Sequence, residues 1–238
     1  MNNIQKISGF AFLLGLAGYA CAATPAPATA ALTLSAKIKA PACNATISGT
    51  VDHGSISRGS LNPTEFTFLP PKSIALQISC DMDTMLWVKV TDDNTGADMK
   101  PGGYLGMEFD VGAHPDQPPE AFLGLGKFAD GVSVGAYALQ FNEATVINNT
   151  AVSTTALIAL SDRPRECTSS CGTAKEVVRS SSPYVSATVN ESGSWRHPAG
   201  KEFTFPIKVA TTLNKGSLLT GTTNIDLAGK ATMEIYFL

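Results

Sequence analysis

The chain has 238 residues, with 17 Lys and Arg against 20 Asp and Glu, a formal net charge of −3, and 44% hydrophobic residues. The charges are scattered, so no basic block offers a surface to nucleic acid or to an anionic membrane. The length suits one large β-domain or two small ones, and no apolar run past the N-terminus is long enough for a transmembrane helix.

Taken in chain order, Met1 to Lys6 form a short, weakly positive head, and residues 7–19 are apolar and Gly-rich. That run is too short to span a bilayer comfortably. Ala20-Cys21-Ala22 then supplies the small-x-small pattern of a secretory signal, which places the cut after Ala22. A lipoprotein cut before Cys21 is the alternative, but Gly18 stands where such signals want Leu, and Tyr19 is bulky for its position. Losing residues 1–22 removes Lys6, which takes the formal charge from −3 to −4. Residues 23–31 are Thr, Pro and Ala, a flexible or polyproline-like leader. Residues 32–238 read as a single domain with long loops. Four cysteines remain there: Cys43, Cys80, Cys167 and Cys171. An even count in an exported chain implies two disulfides, with three pairings formally open.

Period-2 alternation begins at Leu32, Leu34, Ala36 and Ile38. After Pro41, a second row holds Cys43, Ala45, Ile47, Gly49 and Val51, and after Pro70-Pro71 a third holds Ile74, Leu76, Ile78 and Cys80. Cys43 and Cys80 thus both lie on the apolar face of their strands, as a bridge between neighbouring strands requires, with Cβ atoms about 4 Å apart. This register favours Cys43 with Cys80 and leaves Cys167 and Cys171 to close a small loop. Leu86, Val88 and Val90 form a further strand, and residues 92–98 a turn. Residues 101–119 are Gly- and Pro-rich and read as a long connection. Asp130-Gly131 between apolar runs at 122–128 and 132–141 is a hairpin signal. Strands are expected at 145–147, 151–160 (or a short helix there) and 184–189, with a polar loop at 161–182 and a turn-rich link at 191–200. Phe203, Phe205, Ile207 and Val209 alternate, and Pro206 on the other face suggests an edge or a bulge. Ile225, Leu227, Gly229, Ala231, Met233, Ile235 and Phe237 close the chain on one parity. No segment of ordinary helix length shows a capped 3.6 period. The pattern predicts an all-β sandwich.

Residues 32–43 (Leu-Thr-Leu-Ser-Ala-Lys-Ile-Lys-Ala-Pro-Ala-Cys) resemble the first strand and first cysteine of chaperone–usher pilins, and Cys80 follows at pilin-like spacing. More narrowly, the chain resembles a little-characterised domain-of-unknown-function family of exported, pilin-like proteins from Gram-negative bacteria. Val51-Asp52-His53-Gly54-Ser55-Ile56, Leu123-Gly124-Leu125-Gly126-Lys127 with Gly135-Ala136-Tyr137, and Leu227-Ala228-Gly229-Lys230-Ala231-Thr232 carry that match. The resemblance implies an immunoglobulin-like (pilin-type) β-sandwich lacking its last strand. Its groove would be filled first by a strand of a periplasmic fimbrial chaperone and later by a neighbouring subunit's N-terminal extension, with an usher as the further partner. Ala231, Met233, Ile235 and Phe237 would line that groove. Two features depart from the pilin pattern. Residues 23–31 carry no large alternating apolar side chains, and Pro25 and Pro27 lack backbone donors. Ile225 stands where pilins have a glycine.

Chemical motifs are weak. Gly124-Leu125-Gly126-Lys127 lacks the leading Gly and the trailing Ser or Thr of a phosphate loop and reads as a Gly-rich strand end. Asp92, Asn94 and Asp98 offer oxygen ligands but lack the final Glu of an EF-hand loop, and read as a solvated turn. His53, His114 and His197 have no second ligand at zinc spacing. Cys167 and Cys171 are separated by three residues rather than the two of a redox motif. Glu108, Asp110, Asp116 and Glu120 gather in one region and are read as surface acids before a hydrolase pair. Tyr104, Tyr184, Trp195 and Arg196 are the residues suited to a receptor or sugar, with Trp195 and Arg196 foremost because exposed Trp and Arg are enriched at hot spots; against that, Trp195 is read as packing over a sandwich edge. The expectation is a non-enzymatic fimbrial subunit or pilin-like surface protein. It has no cofactor or metal, and it is exported to the periplasm and then to the cell surface, a fimbrium or the medium. The alternative is a self-complete secreted binding module, or a minor or tip adhesin for a glycan or protein.

Overall fold

A computed structural model describes residues 40–94, 104–128, 130–141, 146–151, 156–160, 176–181, 183–191, 194–219, 224–225 and 227–237. The expected signal and leader, the row from Leu32 to Ile38, and the Cys167 to Cys171 loop lie outside the described residues. The longer strands, in chain order, are β1 (Cys43–Ser48), β2 (Thr67–Thr84), β3 (Leu86–Asp92), β4 (Gly135–Phe141), β5 (Ala156–Leu160), β6 (Tyr184–Glu191), β7 (Ser194–Arg196), β8 (Gly200–Leu213) and β9 (Ala231–Phe237). All pairing is antiparallel. One sheet runs β1-β2-β8-β4 and ends on the short strand Glu176–Val177; the other runs β5-β6-β3-β9, with β7 hairpinned onto β6.

The alternation seen in the sequence places the core between these sheets. Leu76 and Ile78 of β2, Leu139 and Phe141 of β4, and Phe205 and Ile207 of β8 pack toward Val88 and Val90 of β3 and Val185 of β6. Each such buried side chain stabilises by about 1.5–3 kcal/mol. The Cys43–Cys80 disulfide forms between directly paired residues of β1 and β2, as the shared parity predicts. The Asp-Gly hairpin also forms: Gly131 takes φ +84°, and Asp130 Oδ1 accepts from Val132 N (3.1 Å).

Four local readings change. Pro70-Pro71 does not break the chain but lies inside β2, which spans Thr67–Thr84. The register with β8 shifts there, from Val209↔Lys72 to Thr211↔Leu69, so two prolines oppose Ala210 alone. Such a bulge frees residues from ladder donation. Pro206 sits in a central strand rather than at an edge; it faces Ala75 of β2 on one side, and on the other falls between the ladders to β4 and to Val146–Ile147. Residues 104–122 are more than a connection. Leu105, Met107, Phe109 and Phe122 are buried over the outer face of the first sheet, where Ala136, Ala138 and Ala210 are small enough to admit them. Finally, the turn-rich link before Gly200 contains β7, in which Trp195 pairs with Asn190 and Arg196 with Val189. A turn reading for those two residues is replaced by a strand hairpin.

Candidate functional site

β1 is the edge of the first sheet and β9 the edge of the second, and each has a hydrogen-bonded neighbour on one side only among the described residues. Between these edges lies an open groove of about 400 Å³. Ala45, Ile47, Val51 and His53 form one wall, and Leu227, Gly229, Ala231 and Met233 the other. Ile74, Leu76, Tyr137, Leu139 and Val209 form the floor, which is the inner face of the first sheet. Alternation sends Ala45 and Ile47 toward the core side, but no described strand lies over them. Ile47 and Val51 are therefore 48% and 41% exposed despite their apolar character. Apolar side chains left uncovered beside unpaired strand edges are the physical signature of a missing strand.

Both walls are held firmly. The disulfide ties β1 to β2 at one end, and Gly49, at φ +92°, ends β1 where a Cβ would lie 3.2 Å from Ser73 O. β9 pairs with β3 along its whole length, from Ala231↔Asp92 to Phe237↔Leu86. Asp92 stands at the end of that ladder, where its carboxylate accepts from Gly124 N (2.8 Å) and Asn94 N (3.0 Å). Asp92 is thus partly buried rather than solvated, and the rest of the turn expected at 92–98, Asp98 included, lies outside the described residues. Burial raises the Asp92 pKa above the usual carboxylate range against those two bonds. Burial, followed by the Asp92 and Asp93 charges, pushes the Tyr137 phenol well above its ordinary range. Tyr137 thus meets the groove as a neutral ring.

One end of the groove is polar. His53 Nε2 lies 3.2 Å from Thr211 Oγ1. Burial, helped by Lys72 and opposed by Asp52, lowers the His53 pKa, so the imidazole is neutral at neutral pH.

Of the four C-terminal residues named from the sequence, Ala231 and Met233 line the groove and Ile235 is half-buried against the same core. Phe237 is 40% exposed and lies beyond the groove, because its cross-strand partner Leu86 is at the far end of β3. Trp195 and Arg196 lie on β7, which pairs with β6, and neither is among the described lining residues. Of the acids at 108–120, Glu108 and Asp110 are held by local partners. Glu108 accepts from Gly112 N (2.9 Å) and pairs with His114 Nε2 (3.3 Å), Asp110 pairs with Lys208, and Asp116 lies in a short strand with Gln117. The His197 ring packs on buried Trp87, with centroids 4.5 Å apart, and its Nδ1 is 3.1 Å from the buried Ser186 hydroxyl, which donates to Leu86 O. Among the described residues, no three His, Cys, Asp or Glu side chains gather as metal ligands would.

Sequence reasoning passed over half the groove. His53 was visible only as a histidine without a second ligand inside the Val51 to Ile56 motif, Leu139 and Val209 only as members of apolar strand runs, and Thr211 not at all. The one available signal was Ile47 and Val51 continuing an apolar row beside a polar His53, which marks a face that is apolar but ends in a hydrogen-bonding group.

Residues 32–138, which include the β1 wall and part of the floor, match a protein family described as "Protein of unknown function (DUF1120)". A search of curated proteins returned no match.

Proposed function

We propose that this chain is a non-enzymatic, pilin-like subunit of an exported surface structure, whose groove accepts a β-strand from a partner. The observation that carries this reading is the gap between β1 and β9: two strand edges face each other across an apolar floor, with a disulfide fixing one wall. A docked strand would satisfy main-chain groups on both edges while its alternate side chains cover Ile47, Leu76 and Met233. In the family that residues 32–43 resemble, the first donor is a periplasmic fimbrial chaperone and the next a neighbouring subunit delivered at the usher. Export by a signal at residues 1–22, passage through the periplasm, and display on a fimbrium or at the cell surface belong to the same proposal.

Co-expression with an affinity-tagged fimbrial chaperone in a Gram-negative periplasm tests it. The wild-type chain should co-purify with the chaperone. Replacing Met233 and Ile235 together by Asp puts one charge on the groove wall and one beside it against the core, and should reduce recovery at least tenfold, since each unpaired buried charge is strongly unfavourable. Equal recovery of wild type and double variant would overturn the reading.

A further inference from the structure

Most side chains lining the groove are apolar, among them Ala45, Ile47, Leu76, Leu139 and Met233; Thr46 and the Tyr137 phenol add polar atoms, and His53 and Thr211 are the polar pair that meet. His53 Nε2 is engaged with Thr211, whereas Nδ1 has no hydrogen-bond partner among the described residues. With the groove open, water reaches that nitrogen. A strand laid along the groove would cover the ring and remove the water. A polar atom buried without a partner is far more costly than one that is paired, so a site holding such an atom discriminates against ligands that cannot bond it.

Resting on the strand-accepting reading above, we propose that His53 sets the register and the sequence preference of the occupant. The occupant is an extended peptide whose groove-facing row is apolar except for one hydroxyl- or amide-bearing side chain at the level of His53. The described lining residues include no Asp, Glu, Lys or Arg, and the charges nearest His53, on Lys72 and Asp52, are of opposite sign, so neither sign of charge in the row is favoured along the apolar stretch. Both rims are strand edges, and only a peptide main chain can pair with both, which is why the occupant is a strand rather than an aliphatic molecule. Side chains on one face of a strand stand about 7 Å apart. A slip by one such step moves the polar side chain off His53 and onto the carbon of Val209 or Ile74, and it leaves Nδ1 facing an apolar group. Matching and slipped registers therefore differ at two places at once, which makes the register well defined.

Fluorescence polarisation with the purified full chain tests this. The probes are short labelled peptides in which Val alternates with Lys, together with a set in which each Val in turn becomes its near-isostere Thr. One Thr position should bind about tenfold more tightly than the all-Val parent, the loss expected for one unmet hydrogen bond. His53→Leu should reverse that order, and His53→Gln, which keeps a hydrogen-bonding group, should preserve it. Thermal unfolding of each variant separates lost chemistry from lost fold. The inference is overturned if wild type binds the all-Val parent at least as well as every Thr peptide, or if His53→Leu keeps the Thr preference. If no peptide in the set binds at all, the strand-accepting reading itself falls; binding without a His53-dependent preference removes only the inference drawn from His53.

Discussion

At the scale of single residues, the least yielding constraint is at Gly135, where β4 lies against the backbone of β8. A Cβ there would sit 2.5 Å from Thr212 O and 3.0 Å from Leu125 Cδ1. The first of these is backbone and cannot swing away. Gly135→Ala should therefore destabilise by about 1–3 kcal/mol through overpacking, read as a lower urea midpoint at unchanged slope. Nothing in Gly135-Ala136-Tyr137 marks this, because the crowding comes from a strand more than seventy residues away in sequence. His53 is the second case. Its folded-state pKa lies below the ordinary imidazole value of 6.5, with burial the first cause. The unfolded chain thus takes up the proton more readily than the native one. The contribution of neutral His53 to stability is present above about pH 6.5 and is lost as pH falls below it. Half-buried as it is, the effect is modest in size, but its sign is definite. His53→Gln should show a shallower fall in unfolding midpoint than wild type between neutral pH and the acid side of the imidazole range. A parallel fall in both proteins would refute it.

At the scale of elements, β1 is the exposed one. It pairs with β2 alone among the described residues, every residue after Cys43 is exposed, and the disulfide is its covalent anchor. The bridge closes a separation of 37 residues, for which loop-closure entropy gives about 4 kcal/mol. Converting Cys43 and Cys80 together to Ala should cost about that much in denaturant unfolding, and hydrogen exchange should quicken first in β1, before β2 and β8. Exchange that quickened evenly across the first sheet would mean β1 is held by something other than the bridge. This element was legible in the sequence because parity put both cysteines on one face. β2 was legible only in its second half. The Pro70-Pro71 pair looks like a boundary in sequence, and it becomes part of a strand only because β8 supplies a bulge opposite it.

At the scale of the whole molecule, an open apolar groove between two unpaired edges is an aggregation hazard unless it is filled. Expressed in the periplasm without a partner, the chain should be recovered as soluble oligomers, aggregates or degradation products, and a co-expressed fimbrial chaperone should convert it to a discrete complex on gel filtration. A soluble monomer that unfolds cooperatively on its own would show that the groove is covered without a partner. That outcome favours a self-complete binding module.

What the sequence by itself determined is the set of local facts: strand rows from alternation, the Asp-Gly hairpin, the Cys43–Cys80 bridge from shared parity, and the all-β class. Each depends on neighbours within one strand or one turn, where period and turn chemistry act directly. Only the tertiary structure decided which strands became edges, and hence that Ile47 and Met233 line one groove. It also decided that residues 104–122 cover the first sheet's outer face and that an isolated histidine meets Thr211. Those outcomes follow from the order of strands in the sheets, a property of long-range pairing that no local periodicity encodes.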